Sequence, residues 1–352
     1  MIWLTWRQLR GSAAMMGALL VVLAAVLALT GPGLVSGYSS GIAGCTTDNT
    51  CENFYNRFFG EYDLPFTALT LVVLVLPALV GLFWGAPLIT RELEAGTHLL
   101  VWSQSITRGR WLAVKLGLTG LTAVAAAGLC GLMVTWWSSP LDASAAEGMA
   151  LMAPLVFSAR GIAPMGYAAF AFVLGVTVGM LVRRTLPAMA LTLAVFAAIQ
   201  LALPAVVRPH LMAPVTATFE LGRANVDSLS IPREGGAAPR LFLQEAVPGR
   251  PGSWVLANEL LGPAGRVISG GSSGAGAVID VSSTSGSCAP GSASGAGDGC
   301  LGEINRLGYR QQVTYQPLER FWVFQWIETG IYALLTAVLT WLSFWWIRRR
   351  IS

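Results

Sequence analysis

Six stretches of about 20 apolar residues constrain this chain more than any other feature, because a helix of that length crosses a hydrocarbon layer of roughly 30 Å. They run over about 12–32, 65–87, 112–137, 162–182, 186–207 and 321–347. Over 352 residues the chain is 54% hydrophobic and only 11% charged, which leaves too little polar surface for a water-soluble globule. The expected fold is an all-α polytopic membrane protein with six transmembrane helices.

The basic residues set an expected orientation, since short cytoplasmic loops are enriched in Lys and Arg and long translocated loops escape the rule. With the N-terminus inside, Arg7, Arg10, Arg91, Arg108, Arg110, Lys115, Arg183, Arg184 and Arg348 to Arg350 all face the cytoplasm. The two short outside loops then hold only Arg57 and Arg160. Both termini are expected to be cytoplasmic, with the final arginine run held at anionic headgroups. The net charge of +4 reports this topology and gives no sign of nucleic-acid binding. The first apolar run, about Ala13 to Thr30, is longer than a signal-peptide core and lacks a small-x-small site directly after it. A retained span is expected.

In that topology Cys45, Cys51, Cys288 and Cys300 lie outside, in an oxidising compartment, and Cys130 lies in the third span. Cys45 with Cys51 and Cys288 with Cys300 are the neighbours in sequence, although four cysteines permit three connectivities. His98 and His210, the two histidines, stand far from both pairs, so no metal site is expected.

One long segment breaks the apolar pattern. From 208 to 320 the chain is rich in Gly, Ser, Pro and charge, and it is long enough for an extracellular domain between helices 5 and 6. Leu241 to Leu243 and Trp254 to Leu256 have the character of elements with a buried face, and Val278 to Val281 reads as a short strand. The Gly/Ser-rich stretch 269–299 reads as flexible, with almost no core of its own. The expected division is 1–207 for an N-terminal interfacial helix and spans 1–5, 208–320 for the extracellular domain, and 321–352 for span 6 and a basic tail.

A charged island at 88–115 separates the second and third runs. Pro87 closes the run before it, and the segment from Thr90 to about Trp102 predicts a short interfacial helix with Glu92 and Glu94 in its first turn. Arg91, Glu92 and Glu94 would then meet a soluble partner, and Arg108, Arg110 and Lys115 lead into span 3. On charge alone an ordinary positive-inside loop accounts for the same residues.

The pattern Arg91-Glu92-x-Glu94-x-Gly96-Thr97, followed by Arg108-x-Arg110 and Lys115, resembles the cytoplasmic loop of type-2 ABC exporter permeases. The amphipathic segment Ile2 to Arg10 and the ending Tyr315 to Glu328 fit the same resemblance, the latter to actinobacterial members. The resemblance covers the membrane portion. It implies a coupling helix docking a nucleotide-binding subunit, two copies of that ATPase, and a second permease chain completing a dimer within the membrane lipids. Substrate identity does not carry over, because the 208–320 segment departs from compact members.

The chain itself supplies no ATPase site. Lys115 is its sole lysine and lies in Ala-Val-Lys-Leu-Gly, whereas a phosphate-binding loop needs a Lys directly after its glycines. No cofactor is therefore expected on this chain, with ATP and Mg²⁺ belonging to the partner. No His-Glu-x-x-His or Cys-x-x-Cys is present, and Gly270-Gly-Ser272-Ser-Gly274 matches a nucleophile elbow in spacing only, within a Gly/Ser run. No catalytic residue is nominated, and the chain is read as no enzyme.

Two polar groups in span 6, Gln325 and Glu328, lie one turn apart on one helical face. Intramembrane ionisable groups are costly and face a cavity or a bundle interior. Two readings stand: a translocation path lined by Gln325 and Glu328, or a structural pairing of Glu328 with Arg320 or another basic group. Gln200 in span 5 reads as an interhelical contact, and Pro77 predicts a kink in span 2. A different class also fits: a polytopic sensor or assembly factor whose extracellular domain binds a ligand. The deciding observation is whether a nucleotide-binding subunit accompanies the chain.

Overall fold

The structure is a computed structural model and describes residues 2–45, 48–96, 107–144, 149–230, 239–270, 276–282, 286–288 and 299–349. Its helices are α1 (Ile2–Ala43), α2 (Asp48–Val80), α3 (Pro87–Glu94), α4 (Arg108–Ser144), α5 (Pro154–Ser158), α6 (Ala163–Val182), α7 (Thr185–Ala202), α8 (Cys300–Arg306) and α9 (Phe321–Arg349). Among the described residues, six helical stretches are long and apolar enough to cross a membrane: Leu9–Ala43, Arg57–Glu94, Arg108–Asp142, Ala163–Val182, Thr185–His210 and Leu318–Arg349.

The chain divides into two compact units. The first holds Met1–Leu141, Pro154–Leu211 and Trp322–Ser352, and the second holds Asp142–Ala153 and Met212–Phe321. Arg208 thus belongs with the helices, because its side chain is fully buried among them.

Several sequence expectations change in the helical unit. The segment Ile2 to Arg10 does not form a separate interfacial helix. It is the start of α1, which continues unbroken for 42 residues, or about 63 Å at 1.5 Å per residue. The region between spans 1 and 2 is also mainly helical, since α1 reaches Ala43 and α2 begins at Asp48. The rings of Phe54 and Phe58, 5.4 Å apart, help join the two helices, with Tyr38 of α1 5.7 Å from Phe58. α2 passes through Pro65 and Pro77, and the irregular turn falls later, as a π-helix over Gly81–Gly85.

That π-turn packs on α6, most of whose length is buried. The crossing is close enough to require glycine. A β-carbon on Gly175 would stand 2.4 Å from the carbonyl oxygen of Gly81, and one on Gly85 would stand 2.5 Å from that of Phe172. Small residues let helix backbones approach when apolar burial alone does not drive association. Around this crossing Val80, Ile89, Trp111, Leu112, Phe172, Val176, Met180 and Ile347 form a core, joining α2, α3, α4, α6 and α9.

The second unit corrects the all-α expectation. It contains β1 (Val215–Phe219), β2 (Val226–Ser230), β3 (Arg240–Leu243), β4 (Trp254–Leu261), β5 (Val267–Gly270), β6 (Ala277–Val278) and β7 (Arg310–Gln316). These form a four-stranded sheet in the order β1-β7-β4-β5 and a three-stranded sheet in the order β2-β3-β6, with every pairing antiparallel. Burial alternates along β7, where Gln311, Val313 and Tyr315 point inward, as the two-residue period of a strand requires.

Leu221, Leu241, Leu260, Ala277, Ile279, Leu301, Ile304 and Tyr309 build a core shared by both sheets and α8. Cys288 and Cys300 are disulfide-bonded, their α-carbons 4.6 Å apart, and both sit in that core. The bridge therefore closes on a packed interior rather than on a coreless loop, because strand residues distant in sequence supply the apolar surface. Part of 269–299 lies outside the described residues. The side chain of Cys51 also lies outside them, so its pairing with Cys45 is not described.

Candidate functional site

The residues singled out in the charged island converge on the junction of α3, α4 and α7. Pro87 sits at the first position of α3, where its missing N–H costs nothing and its fixed φ suits a helix. α3 ends at Glu94, and Gly96 follows at φ 66°, a conformation that halts a helix and favours glycine. The expected helix from Thr90 is interrupted at Gly96, and Glu92 and Glu94 occupy the last turn of α3 rather than the first turn of a new helix. Thr97 and the rest of 97–106 lie outside the described residues.

The two carboxylates are turned into the chain. Glu92 forms an ion pair with Lys115 of α4, whose side chain is buried and lies 5.0 Å from the ring centre of Trp111. Glu94 accepts from the backbone N–H of Thr185 at 2.8 Å and from its hydroxyl at 2.7 Å. A carboxylate on the first free N–H groups of a helix is favoured by both capping and the helix dipole, so Glu94 caps α7 from a different helix. The turn before α7 is tight, with Arg183 in the left-handed region at φ 58°. The hydroxyl oxygens of Thr185 and Thr90 lie 3.1 Å apart, and Thr90 is fully buried. The basic residues are less enclosed: Arg91 and Arg110 are exposed and Arg108 is half-buried. The hydroxyl of Thr107 accepts from the N–H of Arg110 at 3.4 Å, a weak N-cap on α4.

The second candidate locus surrounds Glu328. Its carboxylate is held by Arg208 in a two-pronged contact, Nε to Oε2 at 2.9 Å and Nη2 to Oε1 at 2.9 Å. Tyr167 of α6 donates its hydroxyl to Oε1. Arg208 also donates to Ser158 Oγ at 2.9 Å and to the carbonyl of Pro154 at 3.3 Å, and its guanidinium lies 4.3 Å from the ring centre of Phe157. Glu328 is 1% exposed and Arg208 is 0% exposed. Bidentate geometry with further hydrogen bonds is what allows such a pair to survive burial.

The basic partner of Glu328 is therefore Arg208 and not Arg320, which donates to the carbonyl of Ala213 at 2.7 Å and to Gln316 at 2.8 Å. Arg208 follows α7 after a π-turn at Leu203–Val207, which carries it back into the bundle. Sequence reasoning assigned it to the extracellular segment because it stands at the end of an apolar run, as a flanking arginine would.

Gln325 is engaged on every side. Its Oε1 accepts from the N–H groups of Ile162 and Ala163 at 3.1 and 2.8 Å, and its Nε2 donates to the carbonyl of Phe157 at 3.1 Å. It thereby satisfies the unpaired donors at the start of α6. Gly161 stands beside it at φ 63°, where a β-carbon would come within 2.9 Å of Oε1. Arg160, expected in an outside loop, is likewise fully buried. Its guanidinium lies 4.9 Å from the Phe66 ring centre. Gln200 accepts from the Tyr332 hydroxyl at 2.9 Å, an interhelical contact of the expected kind.

The two loci use different chemistry. At the α3 end, carboxylates are tied to α4 and α7 while Arg91 and Arg110 stay exposed. At the Arg208 end, a desolvated and saturated network joins α5, α6 and α9 to the end of α7.

No curated protein and no solved structure matches the chain. The family model described as ABC-2 membrane transporter related matches residues 17–208, a range that contains α2, α3, α4, α5, α6 and α7 and so the α3 junction. With six helices suited to crossing a bilayer and that match over more than half its length, the chain is a multi-pass membrane protein and belongs to the ABC-2 membrane transporter related family.

Proposed function

We propose that this chain is the transmembrane permease of an ATP-driven exporter, docking a separate nucleotide-binding subunit at the α3 end and forming its path as one half of a dimer. The α3 end is then cytoplasmic and the second unit extracellular. The observation that carries this reading is the double tether of α3, with Glu92 bound to Lys115 and Glu94 bound to Thr185. A push on α3 reaches α4 and α7 together, as a coupling element must when it links nucleotide state to helix position.

The tethers divide the labour among the charged residues. Arg91, exposed on α3, would meet an acidic surface of the ATPase, together with Arg108 at the start of α4. Glu92 and Lys115 transmit the displacement. Gln325 and Glu328 hold the opposite end of the path in shape, and ATP and Mg²⁺ reside on the partner.

The test is a mild-detergent purification of the native complex, followed by ATPase measurement. A nucleotide-binding subunit should accompany the wild-type chain. Arg91→Ala should weaken its retention, and Glu92→Gln should retain it but lower the stimulation of its activity. Purification without any nucleotide-binding subunit would refute the reading and favour a sensor or assembly factor.

A further inference from the structure

An open groove of about 400 Å³ runs between α4, α6 and α9. Ala113, Gly117 and Gly120 form one wall, Phe172 the floor, and Thr340 and Phe344 the other wall. The lining is almost wholly apolar, and the hydroxyl of Thr336, at its far end, is turned away to the Tyr332 carbonyl at 2.7 Å. Such a surface favours an apolar ligand.

Its length and its mouth are informative. From Ala113 to Val124 the groove follows α4 for about 17 Å, close to the roughly 15 Å depth of one leaflet. The Ala113 and Phe344 end of the groove lies towards the start of α4 and the end of α9. There Arg110 stands one turn before Ala113, and Arg348 one turn after Phe344. The two helix ends meet: Arg348 Nη2 lies 3.8 Å from where a β-carbon on Gly109 would be. Arg349 stacks near Trp345 at 5.7 Å, and Arg108 opens α4. Among the described residues of α3 and the start of α4, the acidic groups are Glu92 and Glu94, which are occupied by Lys115 and Thr185.

We infer that this groove is a binding site for one anionic phospholipid of the surrounding bilayer, its acyl chain along Gly117 and Gly120 and its phosphate on Arg110 and Arg348. Arginine is suited to phosphate through its planar donor fork, and basic clusters between helix ends at a membrane surface are how such headgroups are recognised. The site clamps α4 against α9 beside the Glu92–Lys115 contact. It does not depend on a partner ATPase.

The experiment is native mass spectrometry of the full chain in detergent, supplied with phosphatidylglycerol or phosphatidylcholine of equal acyl length. Wild-type protein should retain one phosphatidylglycerol in preference to phosphatidylcholine. Arg110→Gln and Arg348→Gln should each weaken that retention about fivefold. Gly117→Leu should abolish it, and because a β-carbon there meets no atom within 4 Å the variant should keep wild-type helicity and thermal stability. Gly117→Ala should leave binding intact. Equal retention of the two lipids, unaltered phosphatidylglycerol binding in Gly117→Leu, or a lipid-free dimer that Gly117→Leu dissociates would each overturn the proposal, the last by assigning the groove to a second copy of the chain.

Discussion

Arg208 and Glu328, 120 positions apart in sequence, form a bidentate ion pair with both contacts at 2.9 Å and almost no exposure to solvent. The pair joins the end of α7 to α9, and Ser158 and Tyr167 complete its hydrogen bonds. Removing one partner strands a buried charge, whereas removing both does not. Arg208→Ala should therefore destabilise the helical unit by about 3–5 kcal/mol, and Arg208→Met with Glu328→Leu should recover most of that loss. Thermal unfolding in detergent micelles, followed by tryptophan fluorescence, measures both. An Arg208→Ala protein as stable as wild type would contradict the arrangement.

Gln325→Leu removes the acceptor of two N–H groups at the start of α6. Each buried donor left unsatisfied costs about 1–3 kcal/mol. Lower stability and faster hydrogen exchange around Ile162 and Ala163 are expected, with little change near α3.

The crossing of the π-turn and α6 leaves no room for a larger residue at position 175. Gly175→Leu forces side-chain atoms into the Gly81–Gly85 backbone, and overpacking costs about 1–3 kcal/mol or more when backbone must move. The yield of folded protein, judged by a monodisperse elution profile in detergent, should fall sharply. Gly117→Ala, which meets open space, serves as the control.

Cys288 and Cys300 close a short loop, 12 positions apart. Chain-entropy reasoning gives such a bridge about 3 kcal/mol. Reduction, or Cys288→Ser with Cys300→Ser, should lower the stability of the second unit by about that amount and make it more susceptible to limited proteolysis, while the helical unit keeps its melting temperature.

Glu94 caps α7 through Thr185. Glu94→Gln keeps an acceptor but loses the charge that favours a helix N-terminus, and Glu94→Leu loses both. If α3 transmits motion to α7, stimulation of the partner ATPase should decline in the order wild type, Glu94→Gln, Glu94→Leu. Equal stimulation in all three would show that α7 is not driven from α3.

The six spans were legible because a hydrocarbon environment imposes length and apolarity locally, residue by residue. The apolar pulses at Leu241 and Trp254 were legible as short elements with a buried face, though not as strands, and Cys288 with Cys300 as a neighbouring pair among three possible connectivities. The long helical continuations around Ala43 and Asp48 were not, since Gly, Ser and charged residues there resemble a loop in composition. Arg208 and Arg160 were misjudged for the same reason: an arginine beside an apolar run marks an interface by default. Only the return of α7 through its π-turn, and the stacking of Phe66 on Arg160, reveal otherwise.

The charged island illustrates the division most closely. Sequence alone determined that Arg91, Glu92, Glu94, Arg108, Arg110 and Lys115 lie together between two spans, because covalent order and charge density are local properties. Tertiary structure alone decided which charges face outward and which are spent inside. Glu92 meets Lys115, and Glu94 meets Thr185 from 91 positions away, because the Gly81–Gly175 crossing holds α3 against α6 at a distance that no periodicity encodes.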